Sequence, residues 1–276
     1  IDDEKQYKEY LFNANVPVLY TDNRDNLKQK VLKYGIIDTD KMTMIELKTV
    51  LKHAAVQRKS KIIETQIKNL KSYKDYDDVI DTFNDIRDKK FYDLPLMLEW
   101  NTWRAMTMLD GGNIHANLKF DDDGNPMSTA AGNMADIVCD YGDFSLTVEV
   151  TMQSGQRQYE MEGEPVSRHL AKVKKENGKD AYCFFIAPKI NDSCIAHFYT
   201  LHLTNISFYG GVSVIVPLEL EVFKKMVSLS KEANSQPKPM QVKRLCEFSL
   251  QAAKNANNEV DWYNAVKERA LNWFSK

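Results

Sequence analysis

A chain of 276 residues, 43% hydrophobic and 28% charged, has the length and balance of one large or two unequal folded domains, which excludes a disordered protein. Its formal net charge of -2, from 37 basic and 39 acidic residues, argues against a module that holds DNA by charge alone. The same balance suits a cleavage module brought to DNA by another domain, and no stretch approaches the ~20 apolar residues of a membrane helix.

The opening Ile1-Asp2-Asp3-Glu4 lacks a Met and the basic and apolar regions of a signal peptide, as expected of a fragment or processed form. Residues 1–90 read as a helical domain or linker. Asp38, Thr39 and Asp40 make a loop before the capping box Thr43-Met44-Ile45-Glu46, which opens a periodic run through Leu47, Val50, Leu51 and Ala54. Further helical patterns run through Ile62, Ile63, Ile67 and Leu70, then Val79, Ile80, Phe83 and Ile86. Residues 91–276 change character. Asp93 and Pro95 start a helix through Glu99, Trp103 and Met106 to Leu109, stopped by Gly111-Gly112. The run 121–126, Asp-Asp-Asp-Gly-Asn-Pro, is a turn, and strands follow at Met134 to Cys139 and Phe144 to Thr151 around Tyr141-Gly142-Asp143. Gln156 to Lys175 reads as helix, begun or disturbed at Gly163-Glu164-Pro165. Buried strands at Tyr182 to Ala187 and Val212 to Pro217 bracket a helix from Asp192 to Leu203, and two or three helices close the chain, Asp261-Trp262 opening the last. The fold class is α/β: a mixed sheet flanked by helices, with the helical segment before it and helices after it.

Chemistry concentrates in the middle of this second region. Along Thr147-Val148-Glu149-Val150-Thr151, alternation puts Glu149 on one face and its valine neighbours on the other. A carboxylate in an apolar strand is costly unless paired or metal-bound. Asp136, between Ala135 and Ile137, sits similarly, and antiparallel pairing of the two strands would bring both acids to one face. Two carboxylates with oxygen-only chemistry suit Mg²⁺. Positions 158, 162, 166 and 169 recur at helical spacing, so Gln158, Glu162 and His169 fall along one stripe; Glu160 and Glu164 are alternatives, and Glu99 is a further acid.

Other constellations are weaker. Cys194, His197 and His202 invite a zinc reading, but the two histidines lie five apart on a helix and diverge. The Asp121 turn lacks the terminal Glu of a calcium loop, and neither a glycine-rich phosphate loop nor a Ser-His-Asp set is present. The four cysteines, Cys139, Cys183, Cys194 and Cys246, contain no C-x-x-C pair, which reads as a reducing, cytoplasmic setting.

Several stretches together carry a likeness: 98–104 (Leu-Glu-Trp-Asn-Thr-Trp-Arg), Ala135-Asp136-Ile137, Val148-Glu149-Val150-Thr151, Ser154-Gly155 with Gln158, 162–169 (Glu-Gly-Glu-Pro-Val-Ser-Arg-His), and 185–190 (Phe-Ile-Ala-Pro-Lys-Ile). The chain resembles the AlwI-like family of type IIS restriction endonucleases, which includes nicking enzymes. The resemblance spans about Asp93 to Pro217. It implies a restriction-endonuclease-like core of the PD-(D/E)xK type and Mg²⁺-dependent hydrolysis of double-stranded DNA near an asymmetric site. By position it implies Glu99, Asp136, Glu149, Glu162 and His169 as catalytic residues. Asp136, Glu149 and Glu162 would be metal ligands, at one or two ions, and Arg168 and Lys189 phosphate contacts. Two positions depart from the general nuclease pattern: Ala135 stands where Pro precedes the Asp, and Thr151 where Lys follows the acid. Glu162, His169 or a second metal would then do the lysine's work. Three readings follow: the cleavage portion of a type IIS enzyme that works as a homodimer or with a second cleavage subunit, a strand-specific nickase, or a non-catalytic interaction module of the same fold. A recognition domain would lie outside this sequence, since it contains no basic recognition element.

Overall fold

The computed structural model describes residues 24–36, 39–109, 112–121, 123–233 and 238–274. The chain divides into two compact units, Ile1–Ile63 and Glu64–Lys276. Asp38, Gly111 and Asp122 lie outside the described residues.

In the first unit, helix α1 (Arg24–Lys33) and the start of α2 (Met44–Lys71) close over Leu27, Val31 and Leu47, with Val50 and Leu51 packed alongside. The capping box forms as its residues require: Glu46 accepts from the Thr43 amide at 2.7 Å, and Thr43 Oγ1 accepts from the Glu46 amide at 3.3 Å. The two helical patterns that the sequence separates, around Val50 and around Ile67, are one uninterrupted helix of 28 residues.

The second unit begins within α2 and continues with α3 (Tyr76–Arg87) and α4 (Leu94–Met108). Helix α3 buries a stripe of Val79, Phe83 and Ile86. Asn101 of α4 donates to the Val79 carbonyl at 2.9 Å, so the two helices are joined by a buried polar contact as well as by packing. Asp93 caps α4 by accepting from the Leu96 amide, and Pro95 fits the first turn, where no amide is needed.

Next comes the sheet: β1 (Asn113–Ala116), a separate hairpin of β2 (Lys119–Phe120) and β3 (Pro126–Ser128), then β4 (Ile137–Asp140) and β5 (Phe144–Val150). Helix α5 (Gln156–Asn177) leads to β6 (Asp180–Ala187), and α6 (Asp192–Leu203) leads to β7 (Ile215–Glu219). Helices α7 (Leu220–Glu232), α8 (Pro239–Asn255) and α9 (Glu259–Leu271) follow. The main sheet runs β1-β4-β5-β6-β7, antiparallel at β1/β4 and β4/β5 and parallel at β5/β6 and β6/β7. Its central strands β5 and β6 are buried on both faces, as their near-continuous apolar runs require.

Several local expectations change: β1 to β3 were not read from the sequence, and the last strand, expected at Val212 to Pro217, lies at Ile215–Glu219. Strand β4 starts at Ile137, so Asp136 stands on the loop just before it. Pro165 interrupts nothing: α5 runs through it from Gln156. The carbonyl that loses its donor belongs to Met161, which is exposed, so water can replace the missing amide. The helix starts instead at Gly155, whose φ of 58° and ψ of -154° place it in a backbone region open essentially to glycine alone.

Candidate functional site

The antiparallel register of β4 and β5 pairs Ile137 with Val148. One step outward, Asp136 faces Glu149, and directly opposed residues of an antiparallel pair project to one face. The turn that sets this register is Tyr141-Gly142-Asp143, closed by the Tyr141 amide on the Phe144 carbonyl at 3.0 Å, with Gly142 at φ 86°. Asp136 is fixed further by the Val150 amide, which donates to its Oδ2 at 2.8 Å.

Helix α5 crosses this face and brings Glu162 and His169. His169 Nδ1 lies 3.0 Å from Glu149 Oε1, and its Nε2 is buried with no partner among the described residues. Glu99 enters from α4, where its Oε1 accepts from the Ala130 amide at 2.9 Å. Glu149 and Glu99 are 5% and 3% exposed, a degree of burial that acidic residues adopt only when something compensates them.

The electrostatics show that the protein's own cations do not compensate them. Burial, then Glu149 and then Glu162, pushes the Asp136 carboxyl well above its ordinary range, against the Val150 amide. Burial, then Glu162 and Glu99, does the same to Glu149. Glu99 is pushed up to about 8 by burial and by Asp136. Glu162 is raised by burial, while a hydrogen bond from Thr151 and the nearby His169 lower it. Burial and then Arg168 hold His169 below its ordinary value, which favours its neutral form. Four carboxyl groups thus sit within electrostatic reach of one another, in a place where a divalent cation would favour their charged forms.

Among the described residues, no three His, Cys, Asp or Glu side chains are already arranged as a metal cage. Asp136, Glu149 and Glu162 are neighbours that act on one another electrostatically. The donor set still fits Mg²⁺, which takes one or two protein carboxylates and fills its octahedron with water and phosphate oxygens.

The remaining candidates divide. Gln158 is fully buried and acts as a staple: its amide donates to the carbonyls of Gln153 and Lys189, both at 2.9 Å, and its Oε1 accepts from the Asn191 amide at 2.7 Å. It ties the segment after β5 to the loop after β6, so it positions rather than reacts. Lys189 is exposed at that loop. The Arg168 guanidinium is engaged with Glu164 at 3.2 Å and with Asn133 Oδ1 at 2.6 Å. Thr151, in the place of the lysine, is buried, and its Oγ1 accepts from the Gln153 amide at 3.0 Å. Residues the sequence did not single out also shape the site. Asn117 donates to the Ala135 carbonyl at 2.7 Å, and its amide donates to the Asp136 carbonyl at 2.9 Å. A Gly132-Asn133 pair before the strand was the one signal available, and Asn133 does take the left-handed conformation, at φ 69°.

The rival constellations come apart. His202 has both nitrogens bonded, Nδ1 to the Phe198 carbonyl at 2.7 Å and Nε2 to Ser249 Oγ at 3.1 Å. His197 Nε2 bonds the Gly163 carbonyl at 3.1 Å, and among the described residues these histidines and Cys194 form no group that could hold a metal. Asp121 Oδ1 accepts the amides of Asp123 and Asn125 at 2.9 and 2.8 Å, the bonding of a self-contained turn.

Residues 4–226 match the model of the AlwI restriction endonuclease family, and the chain belongs to that family. Among solved structures it is similar to the small subunit (R.BspD6I2) of the heterodimeric restriction endonuclease R.BspD6I, at 27% identity and a TM-score of 0.56. That similarity covers 72% of this chain and 96% of the other. No functionally curated protein matches the chain. Among the described residues, no helix is long and apolar enough to cross a membrane.

Proposed function

We propose that this member of the AlwI restriction endonuclease family hydrolyses DNA phosphodiester bonds with Mg²⁺ held by Asp136 and Glu149. The observation that carries the reading is the mutual crowding of Asp136, Glu149 and Glu162 in a buried place that offers them no sufficient protein cation. When bound, Mg²⁺ would neutralise charge at a non-bridging phosphate oxygen and lower the pKa of a coordinated water.

The chain's own residues would do the rest. Asp136 is held in place by the Val150 amide, and Glu149 by its contact with His169. With Glu149 ionised, the neutral imidazole donates from Nδ1, which leaves the Nε2 lone pair free to accept a proton or a hydrogen bond from the attacking water. Glu162, raised by burial, would orient that water or complete a second ion site, the task that a lysine at Thr151 would otherwise share. Glu99 keeps the Ala130 amide satisfied and adds negative charge beside Asp136. Lys189 is the exposed candidate for a phosphate contact.

The similar solved chain is one subunit of a heterodimeric enzyme, which supports a reading in which this chain cuts one strand near an asymmetric site and a second cleavage subunit cuts the other. A strand-specific nickase has the same chemistry without that partner.

Incubation with supercoiled plasmid and Mg²⁺, beside Asp136→Ala and Glu149→Ala, tests the reading. Open-circular product from the wild type alone means nicking, and linear product means double-strand cutting. A fusion to a foreign DNA-binding domain that cut neither strand would leave a non-catalytic interaction module.

A further inference from the structure

Asp136 is not on a strand. It ends the loop of residues 129–136 that joins β3 to β4, so its position relative to α5, which brings Glu162 and His169, depends on what holds that loop. The end of the loop is tied to its own sheet edge by Asn117, through the carbonyls of Ala135 and Asp136. Its beginning is tied to α4, by the Ala130 amide on Glu99. Its middle is tied to α5. Asn133, at φ 69°, turns both its side-chain oxygen and its carbonyl toward the helix. Arg168 Nη1 donates to Asn133 Oδ1 at 2.6 Å, and Lys172 Nζ donates to the Asn133 carbonyl at 3.2 Å. Arg168 and Lys172 are four apart, so they share a helix face, and Arg168 adjoins His169 in sequence. The second side of the Arg168 fork is fixed by Glu164, one turn earlier, which presets the guanidinium for Asn133.

We propose that Arg168 and Lys172 are positioning residues: they latch Asn133 to α5 and so hold the Asp136 loop in register with the helix that carries Glu162 and His169. This rests on the metal-site reading above. It gives Arg168 a different task from a phosphate contact, and the two tasks make opposite predictions.

The test is Mn²⁺ titration into the full chain by calorimetry, beside binding to a DNA duplex in Ca²⁺ over a range of salt. Three single variants are compared with the wild type, each with a thermal melt. Arg168→Ala removes the fork. Arg168→Lys keeps the charge and loses the fork. Asn133→Gly keeps the left-handed backbone, removes only the acceptor, and changes no charge. If the latch positions the site, all three weaken Mn²⁺ binding by about tenfold, the size usual for groups that orient metal ligands. Arg168→Ala combined with Asn133→Gly is then no worse than either alone, because one contact is lost in each case. Asn133→Gly, which removes no charge, binds the duplex as the wild type does at saturating Ca²⁺. Unchanged Mn²⁺ affinity in Asn133→Gly overturns the proposal. So does an Arg168→Ala variant that binds Mn²⁺ normally but holds DNA with a shallower salt dependence, the result expected of a phosphate contact. A wild-type chain that takes up no Mn²⁺ overturns the metal-site reading, and the latch with it.

Discussion

Two histidines, one buried and one half-buried, show how differently this chain treats polar groups. His202, on α6, is saturated: Nδ1 donates to the Phe198 carbonyl at 2.7 Å, and Nε2 accepts from Ser249 Oγ at 3.1 Å. The Ser249 carbonyl in turn accepts from Trp262 Nε1 at 3.0 Å, and the Trp262 ring packs on the imidazole at 4.8 Å between centroids. That network joins α6, α8 and α9 and leaves nothing for a ligand. His169, on α5, has one nitrogen on Glu149 and the other buried without a partner, among carboxyls that repel one another. A region that stabilises satisfies its polar groups, whereas a region that binds keeps some unsatisfied. The first should therefore lose stability when altered, and the second should lose activity while gaining stability.

The largest effect expected is on cleavage. Asp136→Asn and Glu149→Gln should each lower the rate by about 10³-fold or more, since a metal's charge stabilisation is worth several kcal/mol. In EDTA the same variants should melt higher than the wild type, because each removes a buried charge that its neighbours oppose. Loss of both activity and stability would erase the contrast with His202.

The next effect is set by pH. Burial holds His202 at about 4, below its ordinary 6.5, against a lesser pull from the Phe198 carbonyl. The unfolded chain therefore takes up a proton below pH 6.5 that the folded chain refuses until about 4. The stability it contributes is whole above pH 6.5 and is lost as pH falls through that window, in total about 3 kcal/mol at 1.36 kcal/mol per pH unit. Asp136 and Glu149 act in the opposite sense. Their folded values are raised, so they cost the metal-free protein stability at higher pH and release that cost as acid protonates them. Denaturant melts of the wild type, His202→Gln and Glu149→Gln across pH 4 to 8 separate the two limbs, and an acid limb unchanged in His202→Gln would refute the assignment.

Gln158→Ala comes next. Three part-buried backbone groups lose their partner and a fully buried side chain is removed, so destabilisation of about 2 kcal/mol is expected by denaturant unfolding, with cleavage reduced and DNA affinity kept. Smallest is the effect of the ion itself. Mn²⁺ at ten times its dissociation constant should stabilise the wild type by about 1.4 kcal/mol, and Asp136→Asn by much less. A melting temperature equally indifferent to Mn²⁺ in both would count against the site.

How much of this was legible in the sequence follows from range. Local chemistry fixed local structure: the Thr43–Glu46 box, Asp93 with Pro95, the Tyr141-Gly142-Asp143 turn, and the apolar runs that became β5 and β6. The strand pattern around Glu149 placed that acid on a face, and the turn made Asp136 its opposite. The contacts that finish the site were hidden because they join residues far apart. Asn133 and Arg168 lie 35 apart, Gln158 and Asn191 33, and Ala130 and Glu99 31. No periodicity encodes such pairs, since they depend on how the helices settle on the sheet.

By itself, then, the sequence determined the α/β class, the order of β4 to β7 with the helices between them, and the caps at Thr43 and Asp93, because hydrophobic period, caps and turn residues act over a few positions; β1 to β3 were not legible in it. Tertiary structure alone decided that Pro165 leaves α5 whole, that Asp136 stands on a loop, and that His169 keeps one nitrogen unsatisfied among the described residues while His202 has none. Each of those outcomes turns on burial and on partners brought from elsewhere in the fold, and both exist only once the helices pack on the sheet.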